Sequence, residues 1–265
     1  MTTIETGAFV APTAELADDV VIGRNAIVEA GCNIESGSRV GAHSIIWRGT
    51  HIGKNNRIFP FCSIGAEPQD KKFKGEETTL LVGDDNTIRE YCSFNRGTAL
   101  GGGQTRIGNG NWVMAYVHVA HDCCIGNNTI ISNCAQFSGH VEIDDSAIIG
   151  GGSLFHQFRH VGAGAMVGGG EAIRQDIPPY ALFARGTIAV NTEGMRRNGF
   201  SSHTIVRMKA AFRCLYRADL PLAQAQQHIT LMADEENDDT AVALRKLADF
   251  LQLDKLELMR PTVRA

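Results

Sequence analysis

The sequence predicts a left-handed parallel β-helix followed by a small helical domain, and three observations carry that prediction. Aliphatic residues recur every six positions through two thirds of the chain. Glycine is abundant, at 29 residues, while aromatics make up only 7%. Near residue 200 the apolar spacing changes from six to three and four.

Counting by six from Val10 meets Leu16, Ile22, Val28, Ile34, Val40, Ile46, Ile52, Ile58 and Ile64. The frame returns at Val82, Ile88 and Phe94, and again from Ile107 through Val113, Val119, Ile125, Ile131 and Phe137 to Ile173. Chance does not do this at 43% hydrophobic content. An α-helix does not either, since six is no multiple of 3.6 and the segments are rich in β-branched residues. A hexapeptide solenoid does: each unit forms one flat side of a triangular coil, and its aliphatic residue points to the axis. The next position is often glycine, as at Gly23, Gly41 and Gly126, where a small residue lets the chain turn a corner. Four positions after the aliphatic come Ala26, Cys32, Ser44, Cys62, Cys92 and Cys123, again small. Seven cysteines without a CxxC pair read as reduced, buried thiols used for packing.

Two insertions break the frame. One lies between Ile64 and Val82 and includes Gln69-Asp70-Lys71-Lys72-Phe73; the other lies between Phe94 and Ile107, around Gly101-Gly102-Gly103. Loops that leave a rigid scaffold commonly carry function. The period ends after Pro178-Pro179. Ile205, Met208, Ala211, Phe212 and Leu215 then mark a helix from about Ser201. A second begins at Leu220-Pro221 and a third at about Asp239. The expected domains are residues 1–199, the β-helix, and residues 200–265, the helical domain.

A net charge of −4 gives no footprint for nucleic acid. The start of the chain lacks the charged-then-apolar pattern of a signal peptide, and no apolar run approaches the roughly 18 residues of a membrane span. A cytoplasmic protein is expected. Histidines are scarce, at nine, yet His118, His121, His140 and His156 all fall in the later coils. In His118-Val119-Ala120-His121-Asp122 the aliphatic Val119 points inward, so its neighbours lie at the surface or a corner. A histidine beside an acid on a rigid coil suits general-base chemistry, because the carboxylate orients the ring. On spacing alone, solvated surface histidines and a histidine metal site stay open beside it.

Several segments in order resemble the UDP-N-acetylglucosamine acyltransferases that begin lipid A biosynthesis. They are Gly65 with Gln69 to Glu76, Arg96-Gly97-Thr98, Ala120-His121-Asp122, Ser138-Gly139-His140-Val141, His156-Gln157-Phe158, Gln175 to Tyr180, and Asn191 to Arg197. The resemblance implies transfer of a 3-hydroxyacyl group from acyl carrier protein to the 3-position of UDP-N-acetylglucosamine. It makes His121 the general base, Asp122 its orienting acid and the Gly139 amide an oxyanion donor. Asp70 and Lys72 match residues holding sugar and acyl donor, while His118, His140, His156 and Gln157 match residues lining the cleft. Asn191, Glu193 and Arg197 match residues on the nucleotide and its diphosphate, and Gly169 the position that sets acyl length. It implies no metal and no cofactor. Members of this architecture commonly assemble as homotrimers with sites at subunit clefts.

Three features depart from the family pattern: Asn95 where histidine is expected, Asn198 where a second arginine would follow Arg197, and a shortened stretch between Tyr180 and Asn191. The competing functions are an N-acyltransferase acting later on an amino sugar, a zinc carbonic anhydrase, and a non-catalytic scaffold or nucleotide-sugar-binding paralogue. The N-acyltransferases usually carry an extra domain before the repeats, whereas here repeats start at about Val10. Arg207, Lys209, Arg213 and Arg217 crowd one helix, which suggests either a solvated face or a basic dock for the acidic carrier protein.

Overall fold

The computed structural model describes residues 1–253 and 256–259. Strands of two to four residues wind into a three-sided coil. The first side stacks from Thr3–Ile4 to Met166–Val167, the second from Phe9–Val10 to Ala172–Ile173, and the third from Glu15–Leu16 to His160–Val161. Neighbours on a side are parallel and in register, with Ile4 over Ile22 and Val28 over Ile46. The result is the left-handed parallel β-helix that the period predicts. It begins one unit earlier than Val10, at Thr3–Ile4.

The aliphatic ladder fills the axis: Ile22, Val28, Ile46, Ile64, Val119, Ile131 and Phe137 are fully buried. Each such side chain contributes about 1.5–3 kcal/mol relative to exposure. A polar ladder runs inside as well. Asn86 donates backbone and amide N–H to Asn56 Oδ1, Asn111 donates its backbone N–H to Asn86 Oδ1, and Thr129 donates its own to Asn111 Oδ1. These bonds satisfy groups whose burial alone would be costly.

Where glycine follows the aliphatic, the structure gives a reason the period does not show. At Gly23 and Gly126 the backbone φ is ordinary, but a Cβ would lie 2.7 Å from Ala42 N and 2.8 Å from Asp145 N of the following coil. Close stacking of coils excludes a side chain there. The left-handed residues come two positions later and are often not glycine, as at Asn25, His43, Tyr91, Asp122 and His140. The cysteines also divide: Cys32, Cys62, Cys92 and Cys123 are buried, Cys214 is half-buried, but Cys124 and Cys134 are exposed. Cys124 occupies the outward position of its strand and Cys134 a corner, so neither has the packing role expected from the count.

The coil closes with a hairpin, Ala181–Ala184 against Thr187–Val190, joined through Arg185 and Gly186, both at positive φ. A two-residue turn of that kind is the shortest common hairpin connection. Helix α1 (Thr192–Arg197) follows, ahead of residue 200, and then α2 (Ser202–Tyr216), α3 (Leu222–Asp234) and α4 (Asp239–Phe250). Ser201 and Asp238 cap α2 and α4 by accepting backbone N–H bonds. The chain then returns to the coil, where Leu258 bridges Asp176. Among the described residues no helix is long and apolar enough to cross a membrane.

Candidate active site

Both insertions leave the coil between its second and third sides, after strands Ser63–Ala66 and Ser93–Asn95. The same corner carries Asp122, His140 and Phe158, one coil apart, at φ 61°, 62° and 62°. For residues other than glycine this conformation costs about 1 kcal/mol each. Here contacts offset the cost, and it turns the three side chains outward together.

The side chain of Asp122 is wholly buried. Its Oδ1 accepts from Thr98 N at 2.8 Å and its Oδ2 from Thr98 Oγ1 at 2.6 Å. Oδ2 also lies 2.8 Å from His121 Nδ1. Because a carboxylate only accepts, Nδ1 donates in this bond, and Nε2 is the ring nitrogen left for a substrate. Gly101, in the 3₁₀ turn Ala99–Gly101, packs so tightly on the Asp122 carboxyl that no Cβ fits there. The second insertion is therefore the lid that buries the acid.

Gly139 meets the His121 ring from the next coil. A Cβ at 139 would lie 2.5 Å from His121 Cε1 and 2.8 Å from Nε2. The Gly139 N–H has no hydrogen-bond partner among the described residues, while its carbonyl accepts from Phe158 N at 3.3 Å. His140 stands edge-on to His121, with centroids 5.4 Å apart, and stacks on Phe158 at 4.4 Å. Burial holds the His140 imidazole below the usual histidine range; Asp122 and Asp70 oppose this and His121 adds to it. His118 is bonded to Ser93 Oγ through Nδ1 at 2.8 Å, and burial holds it below the ordinary value too. A ring oriented through Nδ1 by a buried carboxylate, beside an amide N–H with no partner among the described residues, is an arrangement that can deprotonate a hydroxyl and stabilise an oxyanion.

His121, Asp122 and His140 offer ligand atoms within 4.8 Å of one another. A metal there would have to displace the Thr98 bonds or the His121 Nδ1 bond from Asp122. The donor set fits a hydrogen-bonded dyad better than a coordination site.

Other expected residues are more dispersed. Asp70 and Lys72 lie on the first insertion, where Asp70 Oδ1 accepts from Lys72 N at 2.9 Å, and Lys72 is exposed. His156 and Gln157 are exposed one coil beyond His140. Gly169 sits on the corner between first and second sides, against Gly151. Asn191 is 4% exposed; its Oδ1 caps α1 by accepting from Gly194 N, and its amide donates to Gly164 O on the corner between third and first sides. Glu193 and Arg197 are exposed on α1 and paired at 3.0 Å. Asn95 is buried and donates to Glu67 O at 2.9 Å, anchoring the base of the first insertion. Asn198 ends α1 as its C-cap. In the basic helix, Arg207 pairs with Glu235 and Glu236 and leaves the cationic face; Lys209, Arg213 and Arg217 stay exposed.

Sequence reasoning assigned no role to Thr98, Gly101 or Phe158. Phe158 had a signal, since it follows Asp122 and His140 at the same offset in the coil. Thr98 and Gly101 had none, because their partner Asp122 is 24 residues from Thr98 and across an insertion.

Residues 176–259 match the family described as UDP-N-acetylglucosamine O-acyltransferase, domain 2, and residues 104–139 match the bacterial transferase hexapeptide family. The chain is 43% identical to the acyl-[acyl-carrier-protein]–UDP-N-acetylglucosamine O-acyltransferase of Janthinobacterium sp. (strain Marseille), over 98% of this chain and all of that one. It is 47% identical to the same-named protein of Verminephrobacter eiseniae, over 86% and 88%. Among solved structures, the UDP-N-acetylglucosamine acyltransferase of Francisella novicida superposes with a TM-score of 0.92 at 33% identity, covering 98% and 95%. That of Campylobacter jejuni gives 0.87 at 33%, covering 99% and 100%.

Proposed function

The chain belongs to the UDP-N-acetylglucosamine O-acyltransferase family, and from that premise we propose that the corner holding His121, Asp122 and Gly139 is its reaction centre. The overall reaction is acyl transfer from acyl carrier protein to UDP-N-acetylglucosamine, the first step of lipid A biosynthesis. His121 Nε2 takes the proton of the sugar 3-hydroxyl as that oxygen attacks the thioester carbonyl of a 3-hydroxyacyl donor. Asp122 stabilises the imidazolium through Nδ1–H, and the Gly139 N–H stabilises the tetrahedral oxyanion. Collapse breaks the carbon–sulfur bond, and the imidazolium returns its proton to the leaving thiolate. No metal or cofactor enters any step.

One observation carries this reading. The buried Asp122 carboxylate fixes a single ring tautomer, and the free ring nitrogen lies beside an unpartnered amide. Replacing His121 by Ala should abolish acyl transfer from a 3-hydroxyacyl carrier protein, while chelator treatment of the wild type should not. An equally active His121→Ala enzyme removes the proposed base.

The remaining residues fit a site assembled from several copies. His121, Gly169 and the Asn191–Gly164 contact occupy three different corners of the solenoid. A groove that includes all three functions needs neighbouring chains, which supports a homotrimer. In it Asp70, Lys72, His118, His140, His156 and Gln157 line the acceptor and donor cleft. Glu193 and Arg197 reach the nucleotide diphosphate, presented by the α1 that Asn191 caps; an arginine fork suits that group. With glycine at 169 the acyl path stays open to longer chains. Lys209, Arg213 and Arg217 surround a cavity of about 270 Å³ with Phe212 and Tyr216 and form the dock for the acidic carrier protein. A donor KM that does not rise with salt would count against that dock. The chain acts in the cytoplasm, where its carrier-protein donor is made.

A further inference from the structure

The C-terminal segment that returns to the coil is tied to the reaction corner through one buried arginine. Arg159 is 8% exposed. Its Nη1 donates to Glu257 Oε2 at 2.7 Å and lies 3.6 Å from Asp176 Oδ1. Its Nε donates to the carbonyl of Gln157 at 3.2 Å. Asp176 holds the same segment: its Oδ2 accepts from Glu257 N at 2.7 Å, its carbonyl from Met259 N at 2.8 Å, and its Oδ1 from His160 N at 2.9 Å. The guanidinium is thus clamped between an acid of the last coil and an acid 98 residues away, and its Nε–H fixes the turn that carries Phe158.

That turn touches the catalytic groups directly. Phe158 donates its N–H to Gly139 O and stacks its ring on His140, with planes 11° apart. His140 in turn donates its N–H to His121 O at 3.1 Å. We infer that Arg159 is a positioning residue for the reaction: clamped by Asp176 and Glu257, it sets the 156–158 turn, and through Phe158 it sets the Gly139 peptide and the His140 ring against His121. A planar fork suits the task, because it can satisfy a carboxylate and a carbonyl in fixed directions, where an ammonium is only a point charge. The clamp closes only when the C-terminal segment is docked, so the helical domain acts on catalysis without supplying a reacting atom. The inference rests on the reading of His121 as the base.

The test uses full-length enzyme and compares Arg159→Met, Arg159→Lys, Glu257→Gln and His121→Ala. Steady-state rates are read beside the ring resonance of His140 in isotope-labelled histidine. Arg159→Met should lower kcat about tenfold, with both KM values within about twofold, because misplacement at the reacting atoms weighs on kcat. The His140 resonance should move downfield as Phe158 leaves its face. Arg159→Lys should recover part of both effects. Glu257→Gln, at a side chain 61% exposed and therefore safe for folding, should lower kcat by about threefold and decides the matter if Arg159→Met does not fold. Unchanged kcat and an unmoved His140 resonance in these variants, even with a lower melting temperature, would make Arg159 a structural tie and overturn the inference. An active His121→Ala enzyme would instead overturn the assignment of the base, and the clamp with it.

Discussion

Gly139→Ala is the most informative single change at this site, because the structure sets its geometry within narrow bounds. The new methyl carbon would lie 2.5 Å from His121 Cε1, against about 3.5 Å for relaxed carbon–carbon contact, so the ring must withdraw by about 1 Å. It cannot do so freely, since Nδ1 is held at 2.8 Å by Asp122 and Asp122 is held twice by Thr98. Either the Nδ1 bond stretches beyond hydrogen-bond length or the ring tilts and carries Nε2 off its line to the hydroxyl. Misplacement of about 1 Å at a reacting atom costs on the order of a hundredfold in rate. Acyl transfer to UDP-N-acetylglucosamine should therefore fall about a hundredfold in kcat, with the nucleotide-sugar KM within a few-fold and the light-scattering mass equal to that of wild type. A Gly139→Ala enzyme with kcat within threefold of wild type would show that the ring has room to retreat. The close approach would then not be what places the base.

Asp122→Asn keeps the volume but offers one acceptor oxygen for three donors and lets the His121 tautomer reverse; kcat should drop by about a thousandfold in the same assay, and the buried donors left without an acceptor should cost about 1–3 kcal/mol in thermal unfolding. Phe137→Ala, in the ladder between His121 and His140, empties a fully buried position and should cost about 3–5 kcal/mol in denaturant unfolding. His160 is half-buried, which lowers its pKa, but the bond to Asp144 and the charges of Asp144, Glu142 and Asp176 outweigh this and raise it. A raised folded value means stabilisation that is complete below the ordinary histidine range and lost as pH climbs through the raised value. The melting-temperature gap between wild type and His160→Asn should therefore be wide at pH 6 and narrow by pH 8.5; a gap that widens with pH refutes the sign. At Gly169 an added Cβ meets only Gly151 atoms, the nearer at 3.2 Å, so Gly169→Met should fold and, in a competition assay, shift preference toward shorter 3-hydroxyacyl donors. Unchanged preference would remove Gly169 from the acyl path.

The sequence alone determined the solenoid, both insertions and the change to helical spacing near residue 200, though not α1, which precedes it. A six-residue period forces one side chain per unit to the axis, and any break in it must leave the coil. It also placed His121 and Asp122 two and three residues past the inward Val119, before the next side of the coil begins. Only the tertiary structure decided which groups share a corner. Stacking brings residues one coil apart into contact, and insertions change that offset, so Thr98 and Gly101 on Asp122 could not be counted out. The same holds for Arg159, whose partner Glu257 returns from beyond α4 to a coil that the period describes without it. The period likewise marked the frequent glycine after the aliphatic but not its cause, since the atoms that exclude a Cβ at Gly23 belong to the next coil. A linear repeat encodes what each residue does within its own unit; contacts between units separated by an insertion or a whole domain exist only once the chain is wound.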